Sequence, residues 1–242
     1  MMPPAREVTL SACEPRYRNT VIQMLRSQAW RELSAAQLFG HGLQFVEDIS
    51  SLRFISRHVV EETEHYVAVA ELYRQHVGEP IEPWVNEKLR AKPIPMAESF
   101  LELGIAQWLY DRGGFWQLRE YVDSSWAPYR EIVGKIIAQE EGHQNHGERI
   151  AIPLCRREKD RAKVQRLFER WLRLGLICLG RPNSEGNRYA IAVGLKKRDS
   201  GECMKDYIRD ILPAVREAGL RLPPKESLGL ELPADLEWPA DL

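Results

Sequence analysis

Apolar residues recur at intervals of three and four through long stretches of this chain, and the two-residue alternation of a half-buried strand is nearly absent. That pattern predicts an all-α protein. A first helix is expected from about Tyr17 to Leu43, with Val21, Leu25, Trp30, Leu33 and Leu38 facing inward and "GHG" at 40–42 near its end. A second is expected from about Ser51 to Val77, capped by Asp48 or Ser50 and stopped by "GEPIEP". A third, from about Met96 to Asp123, and a fourth, from about Trp126 to Leu154, follow the Pro-rich crossover "EPIEPWVNEKLRAKPIP". Ser125 is positioned to cap the fourth, and Pro128 suits its first turn. Two more helices are expected, about Asp160 to Leu179 and Glu202 to Ala218, with "LGRPNSEGNRYAIAVG" between them as a loop or short extended piece. The Pro-rich stretch from Leu220, with its near-repeat "PADLEWPADL", is too short for a repeat architecture and reads as a docking strap.

At 242 residues the chain can bury a sizeable core in one large domain. The expected organisation is a single domain over 1–242, with a metal-binding four-helix core at 16–154, accessory helices at 155–218 and the tail at 219–242. Charges nearly cancel, at −1, so no bulk basic field argues for nucleic acid or an anionic membrane surface. No uninterrupted apolar run reaches the ~18 residues a membrane helix needs. The opening "MMPPAREVTLSACEPRYRN" lacks the apolar core of a signal peptide. Four cysteines, Cys13, Cys155, Cys178 and Cys203, stand far apart without a CxxC pair, so reduced thiols in a cytoplasmic protein are expected.

Two Glu-x-x-His pairs carry the chemistry: Glu62 with His65 in "VVEETEHYV", and Glu140 with His143 in "AQEEGHQNHGE". Residues three apart share a helix face, so each pair can offer a carboxylate oxygen and an imidazole nitrogen to one point. A lone pair of this kind is more often solvated. What changes the reading is upstream, where Glu32 precedes Glu62 by 30 residues and Asp111 precedes Glu140 by 29, each with a turn signal midway. A chain climbing one helix and descending the next returns to the same height after roughly 17 to 21 Å each way. Two hairpins, each giving one carboxylate from its first helix and Glu-x-x-His from its second, follow the ligand plan of ferritin-like di-metal carboxylate bundles.

The expected ligands are therefore Glu32, Glu62, His65, Asp111, Glu140 and His143, with Glu62 and Glu140 bridging, Glu32 and Asp111 terminal, and one histidine on each metal. Carboxylates and imidazoles without thiolate suit two iron ions, or manganese, better than structural zinc. Two ferrous ions sharing carboxylates can reduce dioxygen together, and an apolar lining shields the oxidising chemistry from side reactions. Trp30, Phe54, Leu109, Tyr110, Phe115 and Trp116 lie near the ligands in sequence, although ordinary core packing accounts for any one of them. The "RGGFW" after Asp111 puts Gly113 and Gly114 inside a helix, where each costs about 1 kcal/mol relative to Ala. Room for substrate, a local bulge and close packing against a neighbouring helix are equal explanations. His58 lies one to two turns before Glu62, roughly on the metal side; His146 reads as surface; His41 and His76 read as structural.

"AWRELSA" around Glu32, "VVEETEH" around Glu62 and His65, "WLYDRGG" around Asp111 and "AQEEGHQNHGE" resemble the phenylacetic acid catabolic family, whose catalytic members are ferritin-like di-iron oxygenases. "LGRPNSEGN" and "YIRDILPAVREAGLRLP" extend the resemblance over about 15–225. It implies a ferritin-like four-helix bundle with a long crossover and additional C-terminal helices. All six ligand positions match residue by residue, including Asp at 111. It also implies dioxygen, an external electron donor supplied by a separate reductase, a small-molecule substrate such as an aromatic or acyl-CoA thioester, and a structural partner subunit or a homo-oligomer. Two departures bear on substrate: His58 stands where the family's catalytic members carry a lysine, and the N-terminus and crossover, which in the family shape the thioester site and meet the partner, are shorter here. Lys88, Arg90 and Lys92 offer charge for CoA phosphates but are equally ordinary solvated surface. The other readings are a di-iron enzyme of another oxidation type, such as N-oxygenation, desaturation or oxidative C–C cleavage, and a non-enzymatic iron-binding or scaffold subunit. The full ligand set argues against a scaffold. No flavin fingerprint or iron–sulfur spacing occurs.

Overall fold

A computed structural model describes residues 10–239 of the chain. Residues 1–9, which open the stretch read for export, and 240–242, which end the near-repeat, lie outside them. The described residues form helices, turns and loops with no strand, so the fold class is all-α, consistent with a ferritin-like chain. The chain divides into two compact units, Met1–Gly40 with Ser56–Pro95 and His41–Ile55 with Met96–Leu242.

The first unit holds most of α1 (Pro15–Gly42) and of α2 (Ile49–Val77), whose adjoining ends fall within His41–Ile55 of the second. The Glu14 carboxylate accepts from the amides of Arg16 and Tyr17, at 2.9 and 3.0 Å, and so caps α1. Asp48 caps α2 by accepting from Ser51 N at 2.8 Å. The pairs Arg26–Tyr73, Glu32–His65 and Phe39–His58 run in opposite directions along the two helices, so these form an antiparallel hairpin. Val21, Leu25 and Leu38 are buried as expected, whereas Trp30 and Leu33 are half-buried, because Ala29 and Glu32 hold the inward stripe instead. The Pro-rich crossover is not featureless: α3 (Glu82–Ala91) forms within it. Pro83 sits in its first turn, where a missing N–H leaves no bond unmade.

In the second unit, α4 (Phe100–Ala106) is capped by Ser99, whose hydroxyl accepts from Glu102 N at 3.1 Å. It runs into a π-helical turn (Gln107–Asp111) and then α5 (Arg112–Leu118). α6 (Ala127–Arg157) begins on Trp126 without a side-chain cap; Ser125, expected to provide one, instead donates its amide to Gly194 O at 2.8 Å. α7 (Arg161–Cys178) is capped by Asp160 and α9 (Ser200–Glu217) by Asp199. The "LGRPNSEGNRYAIAVG" segment holds a helix, α8 (Glu185–Ala192), started by Ser184 accepting from Asn187 N. Both α6 and α7 pack on the π turn. The tail lies on its own unit: Leu220, Leu222, Leu228 and Leu236 are buried, and Arg173 of α7 donates to Leu228 O at 2.8 Å.

Candidate metal centre

In the first unit, the helical hairpin brings Glu32 of α1 beside Glu62 and His65 of α2. The three side chains are buried, and each offers a ligand atom within 4.8 Å of those of the others. His65 Nδ1 is 3.4 Å from Glu32 Oε2. Gln28, one turn before Glu32, donates to Glu32 Oε1, and Arg31 donates to the Gln28 carbonyl, so this carboxylate is held by a relay along its own helix. Burial pushes the Glu32 carboxyl up, but the hydrogen bond and charge of His65, the hydrogen bond with Glu62 and the charge of Arg31 outweigh it and leave Glu32 below its ordinary value. His58, one turn before Glu62, completes the group, with Nε2 2.9 Å from Glu62 Oε1 and its ring against Phe39 at 4.1 Å.

This donor set fits a divalent cation. Two carboxylates buried side by side repel unless positive charge lies between them, and the protein supplies imidazoles rather than a buried lysine or arginine at that point.

In the second unit, Asp111 ends the π turn, and α6 presents Glu140 and His143 three residues apart; all three are buried. Gly147 allows α6 its close approach, since a Cβ there would stand 2.3 Å from Trp108 N of the π turn. From the other side, Gly175 of α7 would put a Cβ 2.5 Å from Leu109 O. Tyr207 of α9 donates its hydroxyl to that same carbonyl at 3.0 Å. A π turn interrupts the regular ladder, and the two glycines and one hydroxyl accommodate the interruption next to Asp111. Arg112, also buried, donates Nε to Gln144 Oε1 at 2.8 Å and pairs through Nη2 with Glu148 at 2.7 Å. It ties the residue after Asp111 to the residue after His143.

The two glycines of "RGGFW" divide the explanations offered for them. A Cβ on Gly113 would meet Gly175 O at 2.4 Å, so Gly113 serves helix packing. At Gly114 the nearest atom would be Glu140 Oε2 at 3.7 Å, so its bare backbone leaves room beside that carboxylate. The bulge lies upstream, in the π turn. His146, expected on the surface, is buried: Phe54 stacks on its ring at 3.8 Å, and its Nδ1 is 2.8 Å from Gln107 Oε1. Burial, reinforced by Arg149 and opposed by Asp48, pushes it down to about 4. Phe54 also meets the His143 ring edge-on at 6.4 Å. Of the apolar residues near the ligands in sequence, Leu109, Tyr110 and Phe115 are buried, whereas Trp116 reaches outward and donates Nε1 to Asp210 at 2.9 Å.

Fold and site together define a class: an all-α protein whose helices bury carboxylate and imidazole side chains able to bind metal. The profile of the family described as phenylacetic acid catabolic protein matches residues 80–231, more than half of the chain. The protein belongs to that family, and membership implies a part in phenylacetate catabolism as a subunit of an enzyme. The matched span takes in Asp111, Glu140 and His143 and stops short of Glu32, Glu62 and His65. No curated protein shows significant similarity to the chain. Among the described residues no helix is long and apolar enough to cross a membrane.

Proposed function

We propose that this protein is a non-haem di-iron oxygenase that epoxidises or hydroxylates an organic substrate, an aromatic compound or acyl-CoA thioester, with electrons from a separate reductase. In this reading Glu32, Glu62, His65, Asp111, Glu140 and His143 hold two iron ions, with manganese the alternative metal. The observation that carries it is the buried convergence of Glu32, Glu62 and His65, a donor set of carboxylates and imidazole without thiolate. Family membership and the buried Asp111, Glu140 and His143 support it from the other half of the chain. An iron pair held there would supply dioxygen reduction, one oxygen atom going to substrate and the other to water, with two electrons from the reductase and two protons from solvent.

The protein's own residues do the rest. Gln28 and Arg31 orient Glu32 from one side, while Arg112 and Gln144 fix the backbone around Asp111 and His143. Gly114 leaves space against Glu140 for a substrate edge. None of the four cysteines forms a disulfide, which suits a reducing, cytoplasmic setting.

The test is incubation of the iron-loaded protein with reductant, dioxygen and a panel of aromatic acyl-CoAs, free acids and amines, read by mass spectrometry. A gain of one oxygen atom on a thioester is the expected result. Oxygenation of amines alone would move the protein to N-oxygenation, and a chain that binds no iron on reconstitution would remove the oxygenase reading.

A further inference from the structure

We infer that His58 is a positioning residue for Glu62, holding its carboxylate in one orientation through Oε1; this rests on the di-iron reading above. His58 is fully buried on α2, one turn before Glu62, and its Nε2 lies 2.9 Å from Glu62 Oε1. To donate across that contact, Nε2 must carry the ring hydrogen. The ring has little freedom to leave: Phe39 of α1 lies 4.1 Å from it, centroid to centroid, with the planes tilted by 34°. Glu62 is itself only 2 % exposed, so no water competes easily for Oε1. That bond takes one of the lone-pair positions of Oε1 and fixes the plane in which Glu62 presents the others. His58 therefore fixes the direction in which Glu62 presents its remaining lone pairs, and it does so from a helix-borne imidazole whose reach is set by the i, i+4 spacing. Partners of this kind, which touch the ligand rather than the metal, typically change metal affinity about 10–100-fold when removed.

The inference is tested with Co(II), whose visible absorption reports coordination number, titrated into the wild-type chain and into H58L, H58Q, H58N and E62A. H58L removes the donor at similar volume; Gln is long enough to donate to Oε1 from position 58, and Asn is too short. H58L is expected to bind Co(II) about 10–100-fold more weakly with an altered visible band. H58Q should recover affinity and band toward wild type, while H58N should not. If H58L fails to fold, the Gln–Asn pair decides. Wild-type affinity and band in H58L, or equal behaviour of H58Q and H58N, would overturn the positioning role. Loss of a whole equivalent of Co(II) in both H58L and H58Q would overturn it too, by making His58 a ligand. E62A separates this inference from the reading beneath it: full Co(II) binding by E62A sinks the metal site itself, whereas a metal-poor E62A beside a wild-type-like H58L sinks only His58.

Discussion

His146 shows how one ionisable side chain sets a pH limit on this fold. Its folded value of about 4 lies below the ordinary 6.5, so the unfolded chain takes up a proton that the folded chain refuses. The stability it contributes is fully present above pH 6.5 and is lost as pH falls from there toward 4. Gln at this position keeps a polar partner for Gln107 and does not titrate. Between pH 7 and pH 5, wild type should lose about 1–2 kcal/mol more stability than H146Q, measured by urea unfolding of metal-free protein. Equal losses would show that His146 is not held neutral. The sequence does not reveal this burial, for a physical reason. Glu140, His143, Gln144, Gly147 and Ala151 form the inward stripe of α6, and His146 sits at its edge, where Phe54 and Gln107 meet it from distant segments. His58, on the face of Glu62 and His65, was legible as facing the metal side, but its contact with Glu62 depends on rotamers that spacing does not give.

At the scale of elements, the second unit turns on how closely helices approach the π turn. Helical periodicity predicts one helix over 96–123, and it had no means of revealing the interruption, because every residue from Phe100 to Asp111 is buried and a helix without an exposed face has no phase to count. α3 and α8 escaped for a different reason: both are short and begin among residues that usually signal turns, although Pro83 and Ser184 here start helices rather than end them. Two glycines of α6 then make a controlled comparison. G147A must push a methyl group into the backbone at Trp108 and should cost about 1–3 kcal/mol, more than the ~1 kcal/mol that Ala gains over Gly in a helix. G134A, where a Cβ would meet nothing within 4 Å, should instead stabilise by about 0.5–1 kcal/mol. Y207F removes the hydroxyl donated to Leu109 O and should cost about 1–2 kcal/mol without changing the helical content seen by circular dichroism. Wild-type stability in both G147A and Y207F would mean that the π turn needs no such support.

For the whole molecule, the ligand plan asks one thing of two compact units: Glu32, Glu62 and His65 belong to one, and Asp111, Glu140 and His143 to the other. The family profile reaches only the second set, so the first rests on spacing and on the buried cluster it forms. This half of the plan was unusually legible, because a 30-residue return distance between carboxylate and Glu-x-x-His leaves a helical hairpin few registers to choose from, and α1 and α2 do bring Glu32 to His65. The proposed site has a consequence that separate sites do not share. If Glu62 and Glu140 each bridge one metal pair, removing either should lower bound iron from about two per chain to well below one, because each ion loses a ligand and the attraction of the shared charge. Were each unit to bind an ion of its own, E62A and E140A would each keep about one, and only the double variant would be empty. Iron-to-protein ratios after anaerobic reconstitution decide between the two. The same dependence should appear in stability, because ligand that binds only the assembled site stabilises what it joins. Iron should therefore raise the unfolding midpoint of wild type and leave those of E62A and E140A nearly unmoved. A midpoint raised equally in either single variant would dissolve the shared centre into two independent ones.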